Sequence, residues 1–190
     1  MNTLIRHSLA IFIAFFLGLS PSWAANADAA RAETLLTSLH AAKWIQEGAG
    51  PRIVYIFFDP NCPYCHKLYQ ATRKFVGKEG LEFRWIPVGF LSQSSLGKAA
   101  AILAAKDRRK AFHTNEDDYG FGAGPGGGIP PLSHPGGPVL RALNTNLSLM
   151  HQARLWGVPV MAFRARNGQA QLMVGSLPPD KLGEMLRLVK

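Results

Sequence analysis

Two cysteines, Cys62 and Cys65, are the residues of this chain best suited to covalent chemistry. They are the only cysteines in the 190-residue sequence, and two residues separate them. A cysteine thiolate can attack a disulfide, and a second thiol nearby can then attack the mixed disulfide that results. A structural disulfide at this spacing would close a very short loop and would stabilise the fold little. We therefore predict a redox-active dithiol, in which Cys62 attacks and Cys65 resolves.

The residues around the cysteines predict a strand that leads directly into a helix. Residues 53–58 are continuously apolar, as in a central strand buried on both faces. Pro63 suits the first turn of a helix, and apolar residues recur at helical spacing after it. Cys62 would then lie at the helix N-terminus, where free N–H groups and the helix dipole favour a thiolate. Such a setting lowers a cysteine pKa from about 8.5 to roughly 3.5–7.5.

Residues 1–24 have the pattern of a secretory signal peptide. Arg6 precedes an apolar run at 9–19, and the segment ends in small residues at Ala24. An uncleaved anchor is the alternative, but the run is short against the roughly 20 residues of a membrane-spanning helix. We expect cleavage after Ala24, with Ala27 as a second position, and location in the periplasm.

The composition fits one globular domain with a basic surface. Apolar residues make up 47% of the chain, and its formal net charge is +9. The basic residues are scattered, without a basic helix, an aromatic platform or a known nucleic-acid motif. We therefore predict no nucleic-acid binding, and a surface that attracts acidic partners or anionic membranes.

The segments on either side of the dithiol predict further helices and a second strand. Apolar residues at helical spacing predict a helix over 29–47. Alternation at 81–88 predicts a strand that runs parallel to the first through a right-handed crossover. Residues 95–112 have a helical pattern, for which Ser94 or Ser95 is the expected cap. The dithiol would therefore lie at the first turn of a βαβ unit.

The second half of the chain predicts a loop, a helix and a hairpin. Residues 119–138 are mostly Gly and Pro, so we expect a mobile loop that is either a linker or a flap facing the substrate. A helical pattern follows at 139–156, and Gly157 would end it. Apolar runs at 160–163 and 171–174 flank an Asn-Gly turn, which indicates a hairpin before a last helix.

Five motifs occur in a fixed order along the chain. They are Trp-Ile-Gln-Glu-Gly at 44–48, Ile-Val-Tyr-Ile-Phe-Phe-Asp-Pro-Asn-Cys-Pro-Tyr-Cys at 53–65, Pro-Val-Gly-Phe at 87–90, Ala-Ala-Ala-Ile-Leu-Ala-Ala-Lys-Asp at 99–107 and Val-Gly-Ser-Leu at 174–177. In order and spacing they resemble the DsbC/DsbG family of bacterial periplasmic disulfide isomerases, and Cys-Pro-Tyr-Cys is the DsbG-like version.

This resemblance implies an α/β fold of the thioredoxin type, with a helical insertion between a βαβ half and a C-terminal ββα half. It divides the chain into a signal peptide at 1–24, a linker helix at 25–50 and a catalytic domain at 51–190. The helical and Gly/Pro-rich insertion would occupy about 92–156 of that domain.

Carried over by position, the resemblance assigns further residues to the site. Pro159 would be a cis-proline, and the backbone of Val158 before it would pair with a bound substrate chain. Pro63, Tyr64 and His66 would tune the dithiol, and the alternative for His66 is that it faces solvent without a role. No metal or cofactor is implied beyond the redox-active disulfide between Cys62 and Cys65.

The chain departs from the pattern of its relatives in three respects. The N-terminal dimerisation domain of the family has no counterpart before the linker helix, so we expect a monomer. Val158 stands where these isomerases typically have threonine, a difference that could shift the potential of the dithiol. Ile56 stands where many thioredoxin-like proteins have a buried acid, so proton transfer at Cys65 would need another group or water.

The expected function is disulfide exchange with secreted or periplasmic proteins, and a membrane-bound redox partner would reset the dithiol. Reduction of sulfenylated cysteines is a related possibility, and the sequence leaves the direction of exchange open. The alternative is a non-catalytic carrier that holds copper or zinc through Cys62, Cys65 and His66, since thiolate and imidazole are soft ligands.

Overall fold

The computed structural model describes residues 22–122 and 126–190, so the predicted signal peptide lies almost wholly outside it. The described residues form a mixed five-stranded sheet in the order β1-β3-β2-β4-β5. Strands β2 and β3 are parallel, and the other neighbours are antiparallel. The strands are β1 (Ile45–Gly48), β2 (Arg52–Phe58), β3 (Leu81–Pro87), β4 (Val160–Arg164) and β5 (Ala170–Val174).

Helices cover both faces of the sheet. Their bounds are α1 (Ser22–Ser38), α2 (Pro63–Thr72), α3 (Ser95–Ala104), α4 (Arg108–Asp117), α5 (Gly137–Gln152) and α6 (Pro179–Leu186). Helices α1 and α5 pack on the face that presents Phe57 and Ile86, whereas α2, α3, α4 and α6 enclose a larger core around Ile56 and Trp85. Among the described residues, none of the helices has the length and apolar character that crossing a membrane would require.

The predicted fold class is confirmed. Helix α2 joins β2 to the parallel strand β3, with Val54 opposite Phe83, so the two strands form the expected βαβ unit. Strands β4 and β5 form the expected hairpin, which pairs with β2 and is followed by α6. Helices α3, α4 and α5 lie between β3 and β4, where the insertion was predicted.

The predicted helix over 29–47, and with it the linker helix at 25–50, is wrong in its second half. Helix α1 ends at Ser38, a short 3₁₀ helix follows at Leu39–Ala41, and β1 pairs with β3. Inward and outward residues alternate in β1, since Ile45 and Glu47 are buried and Gln46 is exposed. Because the inward-facing Glu47 is charged, the sequence does not show the alternation of apolar and polar residues that predicts a strand.

Two other helix boundaries differ from the prediction. The helical pattern at 95–112 is two helices, because Asp107 accepts a hydrogen bond from the Lys110 backbone N–H at 2.9 Å and starts α4. Ser94 occupies the N-cap position of α3 but makes no side-chain cap. Helix α5 ends at Gln152 rather than at the predicted Trp156, and Arg154 takes the left-handed conformation with φ +55°.

Glu47 of the edge strand joins a buried polar network. The carboxylate accepts hydrogen bonds from both terminal nitrogens of Arg73, with Nη1 at 2.7 Å from Oε1. Trp85 Nε1 donates to Oε2 at 2.9 Å, and His113 Nε2 lies 2.6 Å from Oε1. Burial opposes ionisation, but Arg73 and His113 outweigh it and hold the pKa of Glu47 below its usual value. This network ties β1 to α2 and α4.

Replacing Glu47 by glutamine is expected to lower the free energy of unfolding by about 3 kcal/mol, because Arg73 loses a buried charge partner. The matched control is Glu79→Gln, since the Glu79 side chain is 76% exposed in its ion pair with Arg52. That change is expected to cost below about 1 kcal/mol. Urea unfolding at neutral pH measures both, and equal losses in the two variants would contradict the role of the network.

The contribution of Glu47 should also depend on pH. A carboxyl whose pKa is lower in the fold stabilises it at pH values above its unfolded pKa. That stability is lost as the pH falls through the folded pKa. The stabilities of the wild type and of Glu47→Gln are therefore expected to converge in acid.

Candidate active site

The two cysteines lie at the start of α2, directly after the central strand. Cys62 is the N-cap residue, Pro63 occupies the first turn, and Cys62 Sγ accepts a hydrogen bond from the Cys65 backbone N–H at 3.3 Å. Both cysteines are free thiols and are buried, with 3% and 1% of their surface exposed. Tyr64 between them is 58% exposed, so the turn presents an aromatic ring to solvent beside the reactive sulfur.

The two thiols differ in acidity. A hydrogen bond from the Cys65 thiol, with backbone donors of Cys65 and Tyr64, lowers the pKa of Cys62 against the effects of burial and of the Asp59 charge. Burial first, and then the interaction with Cys62, raises the pKa of Cys65 well above its usual value. The arrangement therefore favours a thiolate on Cys62 and a protonated thiol on Cys65, the pair of states that nucleophilic attack followed by resolution requires.

Alkylation with iodoacetamide should separate the two thiols. Because the thiolate is the reactive form, labelling of Cys62 is expected to reach half its maximal rate below the usual pKa of a free cysteine. Labelling of Cys65 is expected only well above that pH, because its thiol is harder to ionise. Mass spectrometry of peptides after brief labelling at graded pH gives both profiles. If Cys62 and Cys65 were alkylated with the same dependence on pH, the assignment of Cys62 as the attacking thiol and Cys65 as the resolving thiol would be contradicted.

The residues assigned to substrate binding lie against the attacking sulfur. The Val158–Pro159 peptide bond is cis, as the resemblance implies, and Cys62 Sγ lies 3.6 Å from the carbonyl oxygen of Val158. Pro159 is held at the start of β4, where its carbonyl accepts a hydrogen bond from Gly175 N–H at 2.8 Å. The residues just before β4 and those of the β2–α2 turn therefore meet at the dithiol.

Asp59 fixes the loop that carries Cys62, a role that the sequence did not reveal. The side chain is fully buried. Its Oδ2 accepts hydrogen bonds from the backbone N–H groups of Phe90 and Leu91 at 2.8 and 3.0 Å. Its Oδ1 accepts hydrogen bonds from Asn61 N–H at 2.9 Å and from the Ser95 hydroxyl at 2.7 Å. The carboxylate thus ties the loop at 59–61 to the segment after β3.

The insertion holds the same loop from its other side. Lys98 of α3 donates to Asn61 Oδ1 at 2.9 Å and to the carbonyl of Gly127 at 2.6 Å. The hydroxyl of Tyr119 donates to the Asn61 carbonyl at 2.8 Å. Asn115 Nδ2 of α4 donates to the carbonyl of Pro60 at 3.1 Å. The backbone before Cys62 is therefore positioned by side chains that lie 37 to 58 residues further along the chain.

His66 does not face solvent, so that interpretation of its side chain is wrong. It is 8% exposed, and its Nδ1 lies 3.3 Å from Glu116 Oε2 of α4. The imidazole stacks on the ring of Tyr119 with 4.5 Å between centroids, and Phe121 packs against it edge-on. The Gly/Pro-rich segment supplies these aromatic rings, so its beginning lies against the dithiol helix.

The described part of the Gly/Pro-rich segment has little regular structure, as predicted. Gly120 and Gly126 exchange two backbone hydrogen bonds of 3.0 Å in an isolated bridge. Gly127 N–H donates to the carbonyl of Pro60 at 3.0 Å, and a Cβ at Gly127 would lie 2.0 Å from Asn115 Oδ1. Only glycine permits this close approach, which anchors the segment to the loop before Cys62.

The ligand set of the metal-carrier alternative is not assembled. Within residues 22–122 and 126–190, no group of three or more His, Cys, Asp or Glu side chains is arranged to hold a metal ion. His66 is directed towards Glu116 rather than towards the two sulfur atoms. His66 is therefore not placed as a third ligand beside the two cysteines.

Comparison with known proteins places the chain in a family. A family model described as a thioredoxin-like domain matches residues 40–190. The chain belongs to the thioredoxin-like family. Among curated relatives, this thioredoxin-like chain is 33% identical over 157 residues to the thiol:disulfide interchange protein DsbG of Pseudomonas aeruginosa, covering 82% of this chain and 59% of that protein. It is 30% identical over 148 residues to DsbG of Escherichia coli K12, covering 75% and 56%.

These matches confirm the resemblance to DsbG. The thioredoxin-like chain spans less than two thirds of the length of either relative. Among solved structures, a linker-deletion mutant of Proteus mirabilis ScsC superposes with a TM-score of 0.68 at 20% identity, covering 88% of this chain and 86% of that one. At that identity the superposition supports the fold.

Proposed function

We propose that this protein is a periplasmic thiol-disulfide oxidoreductase that exchanges disulfides with secreted proteins through Cys62 and Cys65. The observation that carries the proposal is the unequal pair of thiols at the start of α2. Cys62 is the N-cap residue with a lowered pKa, and Cys65 is buried one turn further with a raised pKa. The similarity to two proteins named thiol:disulfide interchange protein supports it.

Exchange proceeds in two balanced steps. The Cys62 thiolate attacks one sulfur of a substrate disulfide, the substrate S–S bond breaks, and the other substrate sulfur leaves as a thiolate. Cys65 then loses its proton and attacks Cys62 Sγ, which releases the second substrate sulfur and leaves the Cys62–Cys65 disulfide. The substrate gains two electrons and the protein loses two. The reverse sequence oxidises a substrate dithiol, and a membrane-bound redox partner restores the starting state.

The surface around the dithiol suits an extended polypeptide. Tyr64, between the two cysteines, is 58% exposed, and Phe121, which packs edge-on against His66 of α2, is 60% exposed. Exposed apolar groups concentrated in this way mark a surface for protein contact. The backbone of Val158, beside Cys62 Sγ, is the group that we assign to pairing with the substrate chain. The positive net charge of the chain would favour acidic partners.

The periplasmic location rests on the signal-peptide pattern at 1–24 and on the chemistry of the cysteines, because disulfide exchange on secreted proteins takes place in an oxidising compartment. The monomeric state stays a prediction. Sedimentation velocity of the mature chain measures it, and a dimeric mass at micromolar concentration would contradict it.

A synthetic peptide with one exposed disulfide tests the proposed activity. Reduced protein mixed with one equivalent of peptide is expected to yield the Cys62–Cys65 disulfide and a reduced peptide, both identified by mass after acid quenching. Cys62→Ala should reduce no peptide above the rate of a protein-free control. An equal yield from that variant would refute the proposal, as would a wild-type protein that neither reduces this peptide nor, in its oxidised form, oxidises the peptide dithiol.

A further inference from the structure

The loop at 153–158 connects the end of α5 with the attacking sulfur. It carries Val158, whose carbonyl oxygen lies 3.6 Å from Cys62 Sγ and whose backbone we assign to pairing with the substrate. Among the described residues, two side chains hydrogen-bond to the backbone of this loop, those of Cys62 and of Arg31 in α1. Arg31 therefore connects the loop to an element outside the dithiol region.

All three nitrogens of the Arg31 guanidinium have partners. Nε donates to the carbonyl of Ala153 at 3.0 Å, and Nη2 donates to the carbonyl of Arg154 at 3.3 Å. Nη1 donates to the carboxylate of Asp28, one turn earlier in α1, at 2.7 Å, which orients the guanidinium. Ala153 is the C-cap residue of α5, where carbonyls lack partners within the helix and the helix dipole favours a cation. Arg31 thus caps α5 from another helix.

Arg154, the second acceptor, has a backbone conformation that needs support. Its φ is +55°, in the left-handed region that few residues other than glycine adopt. A conformation of this kind persists only where the surrounding structure favours it. The next residue, Leu155, is buried, and its N–H donates to the carbonyl of Met150 at 3.1 Å. The bond from Arg31 therefore stabilises the turn at which the chain leaves α5 towards Val158.

Helix α1 is itself fixed on the sheet, so it can support the loop. Leu35 and Leu39 are buried and belong to the same apolar cluster as Leu155. Glu33 accepts two hydrogen bonds from Arg164 of β4, at 2.7 and 2.8 Å. The helix predicted as a linker is therefore packed against the catalytic domain, beside the loop that carries the substrate-pairing residue.

We propose that Arg31 is a positioning residue for substrate binding, which holds the loop at 153–158 so that the backbone of Val158 meets the substrate chain beside Cys62. The inference rests on the proposed exchange function and assigns part of its substrate recognition to α1, which precedes the thioredoxin-like domain. Arg31 lies beyond both expected cleavage positions, so it belongs to the mature chain. It acts through the loop and takes no part in the breaking of bonds.

A disulfide peptide and a small alkylating reagent separate substrate binding from thiol reactivity. In a Cys65→Ser background, Cys62 is the only thiol, and the reaction with excess peptide stops at the mixed disulfide whichever direction of exchange the intact dithiol favours. Arg31→Met keeps an apolar stem and removes the guanidinium. It is expected to slow adduct formation by about tenfold, because a displaced pairing group orients the substrate less well. Alkylation by iodoacetamide should not slow, since that reagent has no chain to pair with Val158.

Two further variants provide the controls. Glu33→Gln weakens the exposed ion pair between α1 and Arg164, and it should leave adduct formation unchanged because the bonds from Arg31 to the loop remain. Arg31→Lys retains the charge and a donor group, and it is expected to recover part of the rate. Hydrogen exchange reports on the loop directly, and the amide of Leu155 should exchange faster in Arg31→Met than in Glu33→Gln.

The outcomes distinguish the role of Arg31 from the exchange function. The inference is supported if Arg31→Met slows adduct formation by about threefold or more without slowing alkylation, speeds exchange at Leu155, and is partly rescued by Arg31→Lys, while Glu33→Gln changes neither rate. Any other pattern in these variants overturns the inference and leaves the exchange function standing. If the Cys65→Ser parent itself forms no adduct with the peptide, the exchange function is refuted, and this inference with it.

The reduced wild-type protein provides a test that requires no stable variant. The amide of Leu155 is expected to exchange slowly, because the loop is held from both α5 and α1. The comparison is the amide of Asn167, in the exposed turn between β4 and β5. Equal exchange rates at these two amides would show that the loop is not held, and would overturn the inference.

Discussion

Replacing Cys65 by serine is expected to turn the protein into a trap for its substrates. Cys62 keeps its position at the N-cap of α2, so it still attacks a substrate disulfide. A serine hydroxyl does not attack the mixed disulfide, so release of the substrate from Cys62 should fall by at least about 100-fold. Mass spectrometry of the peptide-disulfide reaction after acid quenching should show one covalent adduct per protein.

Cys62→Ser is the matched control for the trap. It retains the buried thiol of Cys65, which is protonated and inaccessible, and it should form no adduct under the same conditions. Adducts on Cys65 in that variant, at a rate similar to those on Cys62, would show that the two thiols are interchangeable. The assignment of attack to Cys62 would then be wrong.

Replacing Asp59 by alanine is expected to cost about 3 to 5 kcal/mol of unfolding free energy, because each buried donor left without a partner costs about 1–3 kcal/mol. The carboxylate accepts from three backbone N–H groups and the Ser95 hydroxyl, and its side chain is fully buried. Chemical denaturation of the reduced protein measures the loss. The loop at 59–61 should also become sensitive to protease, since it leads into Cys62.

Asp118→Ala provides the comparison for Asp59. Asp118 is exposed at the C-terminal end of α4, so its replacement should change the unfolding free energy by about 0.5 kcal/mol or less. If Asp59→Ala were as mild as Asp118→Ala, the hydrogen bonds of Asp59 would not be holding the active-site loop. A large loss confined to Asp59 supports the account in which the insertion and the β3 terminus position Cys62.

The reacting residues could be found from sequence because their signals are local. An apolar strand, a turn, and two cysteines at the start of a helical pattern all lie within 53–72, and the structure places them as expected. The cis peptide bond before Pro159 was predicted from the resemblance to a known family rather than from the local sequence pattern. The parallel pairing of β2 and β3 follows from the helix that connects them.

The supporting residues could not be found in this way, because their partners are distant in the sequence. His66 follows a cysteine on what resembles a polar helix surface, and only the packing of α4 against α2 buries it beside Glu116. Asp59 resembles an ordinary turn residue until the segment after β3 supplies its donors. Strand β1 could not be predicted because its inward-facing Glu47 is charged, and the sequence does not show that Arg73, 26 residues away, pairs with it.

The central claim, reversible disulfide chemistry at Cys62 and Cys65, is tested most directly by a redox equilibrium. The mature protein is equilibrated with graded glutathione buffers, and the fraction of the Cys62–Cys65 disulfide is read by alkylation and mass. The account predicts one reversible two-electron transition between about −120 and −270 mV, with an oxidant or isomerase near the upper value and a reductant near the lower. A disulfide that never forms, or one that resists reduction below about −300 mV as structural disulfides do, would contradict it.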